Sequence, residues 1–84
     1  MSELEFEVLD ELYFAIDIHN LSQQTGINIE DLRDLIWEMK KKDWVKVMRD
    51  FDDEIDPEES EFKQFFEKYH YIASKKGLLL HNSK

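Results

Sequence analysis

Asn20-Leu21-Ser22-Gln23-Gln24-Thr25-Gly26-Ile27-Asn28-Ile29-Glu30-Asp31-Leu32 is the stretch that decides the fold. Gly26 closes the first segment, because glycine takes the left-handed conformation that ends a helix at low steric cost. Asn28 restarts the chain as an N-cap, and Asp31 at the third helical position can reach back to it in a variant of the capping box. Leu32, Leu35, Ile36 and Met39 then fall on one stripe of the 3.6-residue period, which predicts a helix over 29–42. Lys40, Lys41 and Lys42 sit in its last turn, where cations complement the negative end of the helix dipole. The unit is two helices joined by a tight turn at 26–28.

Outward from this unit the pattern continues on both sides. Ser2 and Glu5 form a capping-box pair, and Leu4, Val8, Leu9, Leu12 and Tyr13 recur at helical spacing, so a first helix is expected from Glu3 to about Phe14. Ala15 to Ile18 reads as a brief edge strand or as the turn itself. Trp44-Val45-Lys46-Val47-Met48-Arg49 alternates in strand fashion, and Tyr69 to Ala73 is a second β-prone stretch. Ser74 can cap a closing helix through Leu78, Leu79 and Leu80. Between the two strands, residues 52–67 hold eight acids and one lysine. Asp56-Pro57-Glu58-Glu59 is a good helix start, with Phe62, Phe65, Phe66 and Tyr69 as its stripe. The preferred reading is an acidic loop with at most a turn or two of helix, the strand resuming near Phe66.

Composition sets the outer bounds. A chain of 84 residues makes one domain, taken as 1–84. The absence of cysteine removes disulfides, thiolate nucleophiles and thiolate metal sites together. No apolar run approaches the roughly 20 residues that span a bilayer. An acidic N-terminus lacks the pattern of a secretory signal, so a soluble, cytoplasmic protein is expected. The net charge is −9, and a surface with that balance repels duplex nucleic acid and anionic membranes unless its positive charge is segregated.

The order helix, helix-turn-helix, strand, long loop, strand, helix resembles a winged helix-turn-helix domain. Leu21 to Ile27 and Leu32-Leu35-Ile36 carry the resemblance in the paired helices. Lys42-Asp43-Trp44-Val45 is similar to the start of a first wing strand, and Tyr71-Ile72-Ala73-Ser74-Lys75-Lys76-Gly77 is similar to the exit from the second. The likeness extends over nearly the whole chain and includes small stand-alone bacterial proteins of this fold. It implies an α+β domain, mainly α, with three helices, a two-stranded β-wing carrying a long acidic loop, and a C-terminal helix. It also implies a DNA-reading role for the helix at 29–42.

The residues on that helix depart from the implied role. With the apolar stripe inward, Glu30, Arg33, Asp34, Trp37 and Lys41 face outward, whereas base readout favours Arg, Lys, Asn, Gln and Ser. Glu30 and Asp31 occupy the helix N-terminus that usually enters the major groove. The wing is crowded with acids from Asp52 to Glu61. The expected activity is therefore that of a non-enzymatic module acting through protein–protein contacts, including self-association as a homodimer through the first and last helices, with Trp37, Glu30 and Asp34 as the candidate partner surface. An outward tryptophan is a common interface anchor; the alternative is that the first or last helix covers it. The second reading is a DNA-binding transcriptional regulator, with Arg33, Lys40, Lys41 and Lys46 as phosphate contacts.

Charge is nonetheless segregated along the chain. Residues 1–17 hold six acids and no base, while Lys40, Lys41, Lys42, Lys46, Arg49, Lys68, Lys75 and Lys76 gather about the base of the wing. Such a dipolar molecule can lay its basic side on a phosphate backbone or on the acidic side of a second copy. His19, His70 and His81 have no ligand spacing, so no metal is expected. No Gly-rich loop, nucleophile elbow or His-Glu motif accompanies the acids, so neither catalysis nor a cofactor is expected. The calcium-loop pattern fails for want of its central glycine. The aromatics from Phe62 to Tyr71 are flanked by Glu61 and Glu67, which favours core packing over base stacking.

Overall fold

The structure, a computed structural model, describes residues 1–83. Ten elements follow one another: α1 (Glu3–Asp10), β1 (Ile16–Asp17), α2 (Ile18–Thr25), α3 (Ile29–Lys41), β2 (Val45–Asp50), β3 (Asp53–Ile55), α4 (Glu59–Phe65), a 3₁₀ turn (Phe66–Lys68), β4 (His70–Ala73) and α5 (Lys75–Asn82). The fold is α+β and mainly helical, with one antiparallel sheet ordered β1-β4-β2-β3.

The tight turn forms as its residues dictate. Gly26 sits at φ 76° with its N–H on the Ser22 carbonyl, and the Asn28 side chain accepts from Asp31 N at 2.9 Å. Leu32, Ile36 and Met39 are fully buried, as the stripe requires. Ser2 and Glu5 exchange the reciprocal bonds of a capping box, and Ser74 accepts from Gly77 N at the start of α5.

The first helix is shorter than its spacing predicts. It ends at Asp10, because the Leu12 carbonyl turns away to accept the Ala73 N–H at 2.8 Å while the Leu12 side chain enters the core. Of the two readings for 15–18, the edge strand is found: Ile16 pairs with Tyr71, and Asp17 with His70.

The sheet corrects the expectation of a two-stranded wing, since four strands take part. β2 turns at Phe51-Asp52 and pairs with β3, a strand inside the stretch expected to be loop, with a register shift between Met48 and Asp50. The chain then crosses through α4 to place β4 on the other side of β2. The strand does not resume near Phe66 but at His70, four residues on. The reason is Phe62. Its ring is fully buried among Trp37, Phe66, Tyr69 and Tyr71, with centroids 5.1 to 6.5 Å away. Helical and 3₁₀ turns bring the Phe62 and Phe66 rings to 6.4 Å from one another, whereas extended chain would set the two residues about 13 Å apart. The Tyr71 hydroxyl then donates to the Phe66 carbonyl at 2.6 Å, and burial pushes that phenol far above its ordinary pKa.

Candidate interaction faces

The outward side of α3 was expected to meet a partner. Glu30 and Asp34 are exposed there. Trp37 is not an open anchor: its ring stacks on Phe62 of α4, at 5.1 Å and 30°, and is half-buried. Its covering comes from neither the first nor the last helix but from the segment preferred as loop. The indole Nε1 is buried without a hydrogen-bond partner.

The four cations proposed for phosphate are each engaged at home. Arg33 Nε lies 3.0 Å from Asp34 Oδ1, and the guanidinium sits 5.7 Å over the Phe66 ring. Lys40 pairs with Asp56 and lies 5.3 Å over Trp37. Lys41 lies 3.0 Å from Glu38, and Lys46 3.8 Å from Glu54. The bonds from Arg33 and Lys40 hold the Asp34 and Asp56 carboxyls below their usual range. The four do not converge either, because Lys46 stands on β2 beside α5 while the other three belong to α3.

A second face lies on α1 and α5, the two helices through which self-association was expected. Of the large apolar side chains left exposed among the described residues, Met1, Leu4, Tyr13, Phe14, Leu79 and Leu80 belong to α1, its flanks and α5, whereas Phe51 alone stands elsewhere, at the β2–β3 turn. The two helices are clamped together at one point. His81, buried in α5, stacks on Phe6 with centroids 4.2 Å apart and shares a 2.9 Å hydrogen bond with the Tyr13 hydroxyl. Tyr13 in turn donates to Asn82 Oδ1 at 2.8 Å. The signal in the sequence was the i,i+4 pairing of Lys75 with Leu79 and of Lys76 with Leu80. Core helices of a small domain seldom leave two adjacent leucines in water.

Beside α5 runs a groove of about 570 Å³, walled by Asp43, Lys46, Ser74, Lys75, Lys76 and the two leucines. Met1, Trp44, Leu80 and Ser83 line a smaller hollow that joins it at Leu80 to the foot of α1. Among the described residues no three acids and histidines stand together as a metal cluster, and no helix is long and apolar enough to cross a membrane. Comparison with protein-family models, with curated proteins and with solved structures found no match.

Proposed function

We propose that this chain is a winged-helix module of the cytoplasm that works by protein–protein contact and carries no catalytic chemistry. The observation that carries the reading is the set of apolar side chains left exposed on α1, its flanks and α5, with Leu79 at 63% and Leu4 at 51% exposure. Apolar surface left exposed on a small acidic domain lowers its free energy by being covered, and protein is the partner class that can cover it. The state of these cations supports the same reading, since Arg33, Lys40 and Lys41 of α3 and Lys46 of β2 are each paired with a carboxylate. Glu30 and Asp34 stand exposed on α3. A duplex brought there meets paired cations and exposed carboxylates, an arrangement that opposes the counterion release on which DNA affinity rests.

The test is a fluorescence-anisotropy titration against mixed-sequence duplexes at low salt. No binding is expected. Binding that disappears in Arg33→Ala and Lys41→Ala variants overturns the protein-contact reading and favours the regulator.

A further inference from the structure

We propose that the occupant of the α1–α5 face is a second copy of this chain, related by a two-fold axis. The acidic α1 of each copy then lies on the lysine-rimmed groove of the other's α5. The inference rests on the reading of this face as an interaction surface and names what covers it.

Two complementary surfaces stand on one molecule. On α1 the exposed Leu4 is flanked by Glu3 and, one turn on, by Glu7. On α5 the exposed Leu79 and Leu80 lie one turn beyond Lys75 and Lys76. Each is an apolar knob flanked on its own helix by a single sign of charge, and the signs are opposite; the groove beside α5 also carries one acid, Asp43. The ions on both rims are also unspent. Every described arginine, and every described lysine except Lys68, Lys75 and Lys76, pairs with a carboxylate of its own chain. Glu3 and Glu7 have no cationic partner among the described residues.

The net charge of −9 selects among occupants. Two acidic molecules approach only where a local basic patch meets a local acidic one, and such matching fixes orientation as well as partner. An anionic membrane meets the whole negative surface and is repelled by it. A second copy presents only α1, whose acid-rimmed leucine fits the groove's leucines and lysines. The two faces also touch one another, since Leu80 belongs both to the groove and to the hollow at Met1. A two-fold contact repeats each pairing twice and closes the assembly at two copies.

The experiment is sedimentation equilibrium of the whole chain in about 0.1 M salt, where exposed charges still act over roughly 10 Å. A dimer is expected, dissociating in about the micromolar range, as befits a small interface with a polar rim. Lys75→Glu with Lys76→Glu weakens it by roughly tenfold or more, as does Glu3→Lys with Glu7→Lys. Mixing these two variants restores association as a mixed dimer, while circular dichroism checks that both remain folded. A monomer at several hundred micromolar, growth beyond two copies, or a dimer indifferent to both charge reversals overturns the proposal. A monomer that also ignores duplex DNA overturns the second copy alone. Duplex binding lost on Arg33→Ala overturns the underlying reading of the face.

Discussion

The backbone of Gly77 passes so close to the Trp44 carbonyl that a β-carbon at position 77 would lie 2.2 Å from that oxygen. The same carbonyl accepts the Ser74 N–H at 2.9 Å, so it has no freedom to withdraw. Here α5 is seated on the start of β2. Gly77→Ala is therefore expected to lower stability by roughly 3 kcal/mol, at the upper end for overpacking, because a backbone atom must move. Urea unfolding followed by far-ultraviolet circular dichroism measures it; a loss under about 0.5 kcal/mol contradicts the close approach.

The end of α3 predicts a substitution of the opposite sign. The Trp44 N–H bonds to the Met39 carbonyl and the Asp43 N–H to the Lys40 carbonyl, the double closure of a helix whose next residue is left-handed. That residue is Asp43 at φ 63°, where glycine is the unstrained choice. Asp43→Gly is expected to raise stability by about 0.5–1 kcal/mol, the relief of left-handed strain exceeding the added freedom of the unfolded chain. A fall in the urea midpoint would contradict it.

These two positions show what was legible in the sequence. The Ser74 cap at the start of α5 was readable because a cap is a local signal; the close approach of Gly77 to Trp44, far along the chain, left no such signal. The turn at Gly26-Ile27-Asn28 was readable for the same reason as the cap. The α4 segment was legible in part: its helix start and aromatic stripe allowed a turn or two, but its acids spoke for loop, and the force that folds it is the burial of Phe62 against Trp37, 25 residues away in sequence. Local charge carries no record of that contact. The same blindness made Trp37 an outward anchor on the helical wheel, and it hid β3, whose three residues pair only because β2 lies beside them. On the α1–α5 face each half was visible as a charged helix, but that both halves remain uncovered is a property of the whole packing.

Acid should loosen the junction of α1 and α3. Glu5 is buried, which alone would raise its pKa; the Ser2 backbone N–H, the Lys42 ammonium at 2.9 Å and the Ser2 hydroxyl outweigh burial and hold it below the ordinary 4.5. A carboxyl depressed in the folded state stabilises fully above its unfolded value, and that stability is lost as pH falls through the lower folded value. Glu5→Gln is thus expected to cost about 1 kcal/mol at pH 7, the scale of a lost capping bond, with the deficit shrinking below pH 4.5. Urea midpoints of both proteins between pH 7 and pH 3 test it; a deficit that stays constant across that span would place the stabilisation outside Glu5 ionisation.

The aromatic cover over α3 can be read by fluorescence. With Trp44→Phe in place, Trp37 is the sole indole. Stacked on Phe62 with its Nε1 buried, it is expected to emit to the blue of free indole and to resist acrylamide. Removing the cover by Phe62→Ala takes a fully buried ring from the centre of the aromatic cluster and should cost roughly 3–5 kcal/mol, the range for deleting a core phenylalanine. Phe62→Leu keeps most of the volume, so the chain should stay folded with a smaller loss. In that folded variant the stacked ring is gone, and Trp37 emission should move to the red with faster quenching. If Trp37 already emits like free indole before Phe62 is touched, α4 does not cover α3 in solution. The tryptophan is then an open surface residue and returns as an anchor for the protein partner.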